Sequence, residues 1–246
     1  MDLKFKIWRQ SSSRDAGFKT YELEGLDENL SLFEALDILN EKLVKKSESV
    51  IAFDHDCREG ICGQCGIYVN GTAHGPDNNR TSCQIYLRSF NDGETITLEP
   101  WRASAFPVIK DLCVDRSALD RIIESGAYIS TKTGTAPEAN SILIAKDDAE
   151  QSMSSAACLG CGACVASCKN ASVALFTSAK INHLNTLAQG KLEAKARIEK
   201  MVEASEKEGF GHCSVTRECE AVCPENISIR NISKLNFSVL KKSLGL

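Results

Sequence analysis

Leu3, Phe5 and Ile7 alternate with Lys4 and Lys6, a period of two that predicts a half-buried strand at the head of the chain. Tyr21 and Leu23 predict a second strand after a polar turn at residues 11–17, so the two should form a hairpin. Ser31-Leu32-Phe33-Glu34 has the pattern of a capping box, and Leu32, Leu36, Leu39 and Leu43 follow it at helical spacing, giving one apolar face. Ile67, Val69 and an Asn70-Gly71 turn resume the sheet, residues 72–81 are polar and turn-rich, and Thr95-Ile96-Thr97-Leu98 supplies a further strand. Between Pro100 and Pro107 the period changes, and Leu112, Leu119, Ile122 and Ile123 have helical spacing, with Cys113 inside the same stretch. The expectation is an α+β chain of two units, residues 1–104 and an all-helical unit over 105–246. In the second unit, residues 130–140 read as a Thr/Gly/Pro loop. Leu192, Ile198, Met201 and Val202 are candidates for the inner face of a helical pair, and Ile229, Ile232, Leu235 and Leu240 for that of a last amphipathic helix.

Composition narrows the function. The 246 residues suffice for one large or two small cores. A formal charge of −4 with no Lys/Arg block gives no footprint for nucleic acid, and no apolar run reaches membrane-spanning length. Cysteine is abundant, at 12 residues, but the chain is larger than disulfide-dependent secreted scaffolds and begins MDLKFKIW with no signal peptide, so a reducing compartment is expected.

The spacing of those thiols points to iron. Cys57, Cys62 and Cys65 have the C-x4-C-x2-C pattern of plant-type [2Fe–2S] ferredoxins, with Cys83 as fourth ligand from further along the chain. Cys158, Cys161, Cys164 and Cys168 have the bacterial two-cluster spacing, and Cys213, Cys219 and Cys223-Pro224 form its second half with Thr216 at one ligand position. In that motif the last cysteine of each half crosses to the other cluster, so Cys158, Cys161, Cys164 and Cys223 make a set of four, suited to [4Fe–4S]. Cys168, Cys213 and Cys219 make a set of three, suited to [3Fe–4S], because Thr216 offers no thiolate for a fourth iron. Structural zinc would need tetrahedral fours, into which eleven thiols do not divide. With four cysteines in the first loop, neither His55 nor His74 is needed as a ligand, and Cys113, alone in its stretch, reads as a packing residue. No dinucleotide fingerprint, nucleophile elbow or catalytic histidine cluster is present, so no catalytic residue is assigned.

With these motifs placed, the chain resembles the iron–sulfur subunit of succinate dehydrogenase and fumarate reductase over nearly its whole length. The resemblance rests on Cys57-Arg-Glu-Gly-Ile-Cys-Gly-Gln-Cys65, on Pro107-Val-Ile-Lys-Asp-Leu112, on the run from Cys158 to Cys168, and on Gly211-His-Cys213 with Cys219-Glu-Ala-Val-Cys223-Pro224. It implies a β-grasp [2Fe–2S] domain beside an FAD-bearing flavoprotein, and an all-α two-cluster domain beside a membrane anchor. It implies too a respiratory and tricarboxylic-acid-cycle role at the cytoplasmic face of a bacterial inner membrane, with succinate oxidation and fumarate reduction both open. Three departures qualify it. Lys169 stands where many relatives have proline, the interval from Cys65 to Cys83 is longer than usual, and Val173 and Ser214 replace the tryptophan and histidine of relatives that bind quinone beside the three-iron cluster. No quinone site is therefore carried over, and the resemblance implies an anchor of the dihaem cytochrome b type. Two rival readings remain at this point. One is a soluble multi-cluster ferredoxin carrier, told apart by whether the protein purifies alone; the other is the iron–sulfur subunit of a different flavoprotein dehydrogenase.

Overall fold

Strands β1 (Leu3–Arg9) and β2 (Gly17–Leu23) pair antiparallel from Leu3 opposite Leu23 to Arg9 opposite Gly17. The alternation decides their facing: Leu3, Phe5 and Ile7 are buried while Lys4 and Lys6 are exposed. A computed structural model describes residues 1–11, 15–77, 79–130, 138 and 143–244. Parts of the turn expected at 11–17 and most of the loop expected at 130–140 lie outside the described residues. Helix α1 (Leu32–Lys45) starts at a complete capping box: the Glu34 N–H donates to Ser31 Oγ at 3.2 Å, and the Ser31 N–H donates to Glu34 Oε2 at 2.6 Å. Its buried face, Leu32, Phe33, Leu36, Leu39 and Leu43, lies on the first core.

Strands β3 (Tyr68–Val69), β4 (Thr72–Ala73) and β5 (Thr95–Glu99) complete a sheet of order β2-β1-β5-β3-β4. β1 and β5 run parallel at its centre, which requires a long crossover, and the cluster loop and α1 lie within it. This is the β-grasp arrangement. Within the span read as polar turn, Thr72 and Ala73 form the short β4.

A second difference concerns Cys113. It lies not in a helix but on β7 (Cys113–Val114), paired with β6 (Val108–Lys110) in an antiparallel ribbon. The Asp111 carboxylate makes the ribbon's turn a fixed point: it accepts from Arg9 Nε at 3.0 Å, the Gln10 N–H at 2.9 Å and the Ala52 N–H at 3.0 Å. Leu112 consequently packs into the first core, and its helical spacing to Leu119 is coincidental.

Helices begin at α2 (Ser117–Gly126) and continue as α3 (Lys146–Ala156), α4 (Ala163–Ala166), α5 (Ala174–Thr186), α6 (Ala194–Lys207), α7 (Glu218–Ala221) and α8 (Arg230–Ser243). α5 is central, touching α3, α6 and α8. The second core joins Trp101 and Phe106 to Leu119, Ile122, Val165, Phe176 and Met201. Met201, Ile198 and Val202 face it as expected, but Leu192 is 79% exposed because it falls in the 3-10 turn before α6. On α8, Ile232 and Leu235 are buried while Leu240 is 54% exposed, so the inner face is narrower than its sequence suggests. Among the described residues no helix is long and apolar enough to cross a membrane.

Candidate metal centres

The first centre is the loop of residues 57–65 together with Cys83, which a 3-10 turn (Ser82–Gln84) presents from beside α1. Folding closes the long interval that separates Cys65 from Cys83: the two thiols are hydrogen-bonded, and both are buried. The bond from Cys65, with a further one from Thr81, brings Cys83 down to about 5, while Cys65 is pushed up. Backbone N–H groups converge on the loop thiols, Glu59 on Cys57 Sγ at 3.3 Å and Gln64 on Cys62 Sγ at 3.4 Å. The Glu59 N–H holds the Cys57 thiol below its ordinary range. Such donors favour thiolate and are the hydrogen bonds that tune a bound cluster. The loop is tied to α1 by Arg58, whose Nη1 lies 2.5 Å from Asp37 Oδ2.

The downstream thiols sort into two cavities. Cys158, Cys161, Cys164 and Cys223 line one, closed by Leu175, Phe176, Pro224 and Ile227. Cys168, Cys213 and Cys219 line the other, with Thr216, Ile229 and Ile232. Burial pushes Cys161 up to about 12, Cys164 well above its ordinary value and Cys219 to about 11. Ionised thiols in so buried a setting would need a positive charge beside them, which iron would supply to this all-sulfur donor set. The Ile227 N–H reaches Cys223 Sγ and the Val215 N–H reaches Cys213 Sγ, each at 3.4 Å. Lys180 Nζ donates to the Cys158 carbonyl at 2.8 Å. Among the described residues no three such side chains converge on a point for a single ion. The thiols line the walls of the two cavities.

The first and second centres meet back to back. Gly63, at φ +72°, lies so close to the second motif that a Cβ there would stand 2.6 Å from the Leu159 carbonyl oxygen. Trp101, 1% exposed, fills the angle between the loops: a Cβ on Gly66 would meet its ring at 2.6 Å, and its Nε1 donates to the Cys161 carbonyl at 3.0 Å. His74 packs edge-on against Trp101 with Nδ1 at 3.1 Å from Ser82 Oγ, and burial pushes it down to about 3. Arg116 reaches both loops. Sequence spacing gave no sign of Trp101, Arg116 or Lys180, since their partners lie tens of residues away.

Of the other expected positions, Ser214 lines the three-thiol cavity, while His55, Cys113, Lys169 and Val173 line neither thiol cavity. His55 is exposed beside Phe53. Cys113 is half-buried near Asp54 and pushed up to about 12 by burial. Lys169 Nζ lies 3.7 Å from Glu218 Oε1, and Ser214 Oγ accepts from Asn170 Nδ2 at 2.9 Å. Val173 is buried and lines a pocket of 310 Å³ beside Cys213, with Thr177, Phe210, His212 and Leu235.

Two domain families match the chain: a 2Fe-2S iron-sulfur cluster binding domain over residues 4–121 and a 4Fe-4S dicluster domain over residues 154–227. The fumarate reductase iron-sulfur subunit of Escherichia coli O6:H1 is 25% identical over 236 residues, spanning 92% of this chain and 88% of the relative. The succinate dehydrogenase iron-sulfur subunit of Bacillus subtilis is 25% identical over 245 residues, 95% of this chain and 91% of that one. With the two domains in tandem, these matches support an iron–sulfur subunit of a succinate dehydrogenase or fumarate reductase complex. Its part in such a complex is electron transfer. The fold agrees with that of a chain in the Mycobacterium smegmatis Sdh1 complex in the apo form, at a TM-score of 0.68 and 22% identity, covering 98% of this chain and 96% of the other.

Proposed function

We propose that the chain conducts electrons between an FAD-bearing flavoprotein, where succinate or fumarate reacts, and a membrane anchor that exchanges them with quinone. Cys57, Cys62, Cys65 and Cys83 would hold [2Fe–2S], Cys158, Cys161, Cys164 and Cys223 [4Fe–4S], and Cys168, Cys213 and Cys219 [3Fe–4S]. The observation that carries this reading is the crossed sorting of the downstream thiols, Cys223 into the cavity of the first half-motif and Cys168 into that of the second. When bound, the clusters supply one-electron carriers whose levels follow from cluster type, ligands, hydrogen bonds and exposure.

The protein's own contribution is placement and insulation. Leu175 lines both downstream cavities, a single apolar side chain between them, and Phe176 and Ile227 close the four-thiol cavity against water. The first loop ends in Ile61, 67% exposed, an apolar tip suited to a flavoprotein face. Elsewhere α8 presents Phe237, Val239 and Leu240 to solvent, with Val239 lining the pocket next to Cys213, which supports docking on the anchor. The anchor is a dihaem cytochrome b on this reading, since Val173 and Ser214 stand in the places of the quinone-binding pair. The subunit is then peripheral at the cytoplasmic face of a bacterial inner membrane, its two modules divided near residue 104, and it takes part in the enzyme without activating substrate itself.

Low-temperature electron paramagnetic resonance on the purified complex tests the assignment. An oxidised [3Fe–4S] cluster has an odd electron count, whereas oxidised [2Fe–2S] and [4Fe–4S] clusters are silent. About one spin per chain is expected before reduction, and two further clusters on stepwise reduction. A silent oxidised state would mean that a fourth iron is held in the Thr216 cavity and would overturn the three-iron assignment.

A further inference from the structure

We infer that Arg116 is a positioning residue shared by the first two cluster loops: its guanidinium fastens the loops to each other and keeps a positive charge where the electron passes between them. The inference rests on the cluster assignment above. Nη1 of Arg116 donates to the Gly63 carbonyl at 2.6 Å and to the Cys161 carbonyl at 3.2 Å, while Nη2 donates to Gln64 Oε1 at 2.5 Å. Gly63 and Gln64 lie between Cys62 and Cys65, and Cys161 is itself a thiol of the four-cysteine cavity. One planar fork therefore spans both loops, a geometry that guanidinium has and ammonium lacks.

The contact it fastens is as short as backbone permits. A Cβ on Gly63 would lie 2.6 Å from the Leu159 oxygen and 3.2 Å from the Cys161 nitrogen, so no side chain separates the loops there. The Cys161 carbonyl accepts from Arg116 and also from Trp101 Nε1, which uses both of its lone pairs. Rotation of either loop away from the other would strand these groups at a half-buried junction.

The charge at this junction is not neutralised locally. The acceptors of Arg116 are carbonyl oxygens and one amide oxygen, all neutral, and among the described residues no carboxylate forms an ion pair with it. Its field reaches the groups around it, contributing after burial to the low basicity of His74. A thiolate-ligated cluster is anionic and gains one more negative charge on reduction. A fixed cation between two such clusters favours the reduced form of each, raising both potentials, and a half-buried cation is only weakly screened by salt.

The test is a potentiometric titration of the assembled complex, followed by electron paramagnetic resonance with cluster content quantified, for the parent, Arg116→Gln and Arg116→Lys. In Arg116→Gln the reduction equilibria of [2Fe–2S] and [4Fe–4S] should both shift toward the oxidised form by about tenfold, which is 59 mV for a one-electron couple. The [3Fe–4S] potential should stay in place, and Arg116→Lys, which keeps the charge but not the fork, should restore most of the shift. Unmoved potentials in Arg116→Gln at full cluster content would overturn the inference. So would an Arg116→Lys shift as large as that of Arg116→Gln, or cluster loss in both variants, either of which would leave a mechanical clamp alone. A parent complex lacking the three signals would instead remove the cluster assignment, and this inference with it.

Discussion

Thr216 lines the cavity of Cys168, Cys213 and Cys219, and its hydroxyl bonds the Glu218 carboxylate, holding that carboxyl below the usual range. A thiol there would complete a soft donor set. Thr216→Cys is expected to abolish the oxidised-state signal and replace it with a cluster that appears only on reduction, at lower potential. An unchanged titration would count against the role given to this position. His74 makes a different prediction. Its ring is held at about 3 against an ordinary 6.5, so the unfolded chain takes up the proton first as the pH falls. The stability it contributes is complete above pH 6.5 and declines progressively from there to about 3. His74→Asn, a residue suited to the φ of +63° at this position, should flatten the apparent unfolding temperature over that window. Parallel profiles for the two proteins would exclude His74 as the source. At this scale the candidate thiols were legible because the spacing that suggests iron is local in sequence. Arg116 and Trp101 were not, because their bonds to the Cys161 carbonyl form only when the two modules meet, and His74 was not, because only the folded sheet brings it to Ser82 and Trp101.

Among elements, the strongest local signals survived intact. The Ser31 capping box starts α1 where the pattern places it, and Ser31→Ala should cost about 1 kcal/mol in chemical unfolding. The strand alternation at Leu3, Phe5 and Ile7 holds for the same reason: a period of two on a half-buried sheet has one way to face. Cys113 and Leu112 misled because a short ribbon pinned by Asp111 leaves no periodicity of its own, and Leu192 because a 3-10 turn interrupts the helical register. The cluster loops invite a sharper test. Gly63→Ala adds a methyl at a left-handed position facing the Leu159 carbonyl, with about 1–3 kcal/mol of backbone strain before the steric contact is counted. Faster amide exchange at Leu159 and Cys161 is expected, and unchanged exchange there would mean that the loops are further apart than described.

For the whole molecule, two apolar features are exposed, the tip at Ile61 beside the first thiol loop and the outer face of α8. Phe237 and Leu240 are 58% and 54% exposed, and a charge at each should weaken attachment to an apolar partner while sparing the interior. The double variant Phe237→Glu, Leu240→Glu is expected to shift the subunit from the membrane fraction to the soluble one, with its iron content kept. Retention on the membrane would assign docking to another face.

The crossed thiols also bear on how the molecule is made. Those of the first centre fall within residues 57–83, so that site can close as soon as its own sheet exists. Cys158 and Cys223 are 65 positions apart, and Cys168 shares its cavity with Cys213 and Cys219, so neither downstream site is complete until α5 and α6 have folded back between the half-motifs. Biosynthesis should accordingly deliver iron in two instalments. The first can accompany translation; the second waits until the second half-motif has been made and brought back to the first.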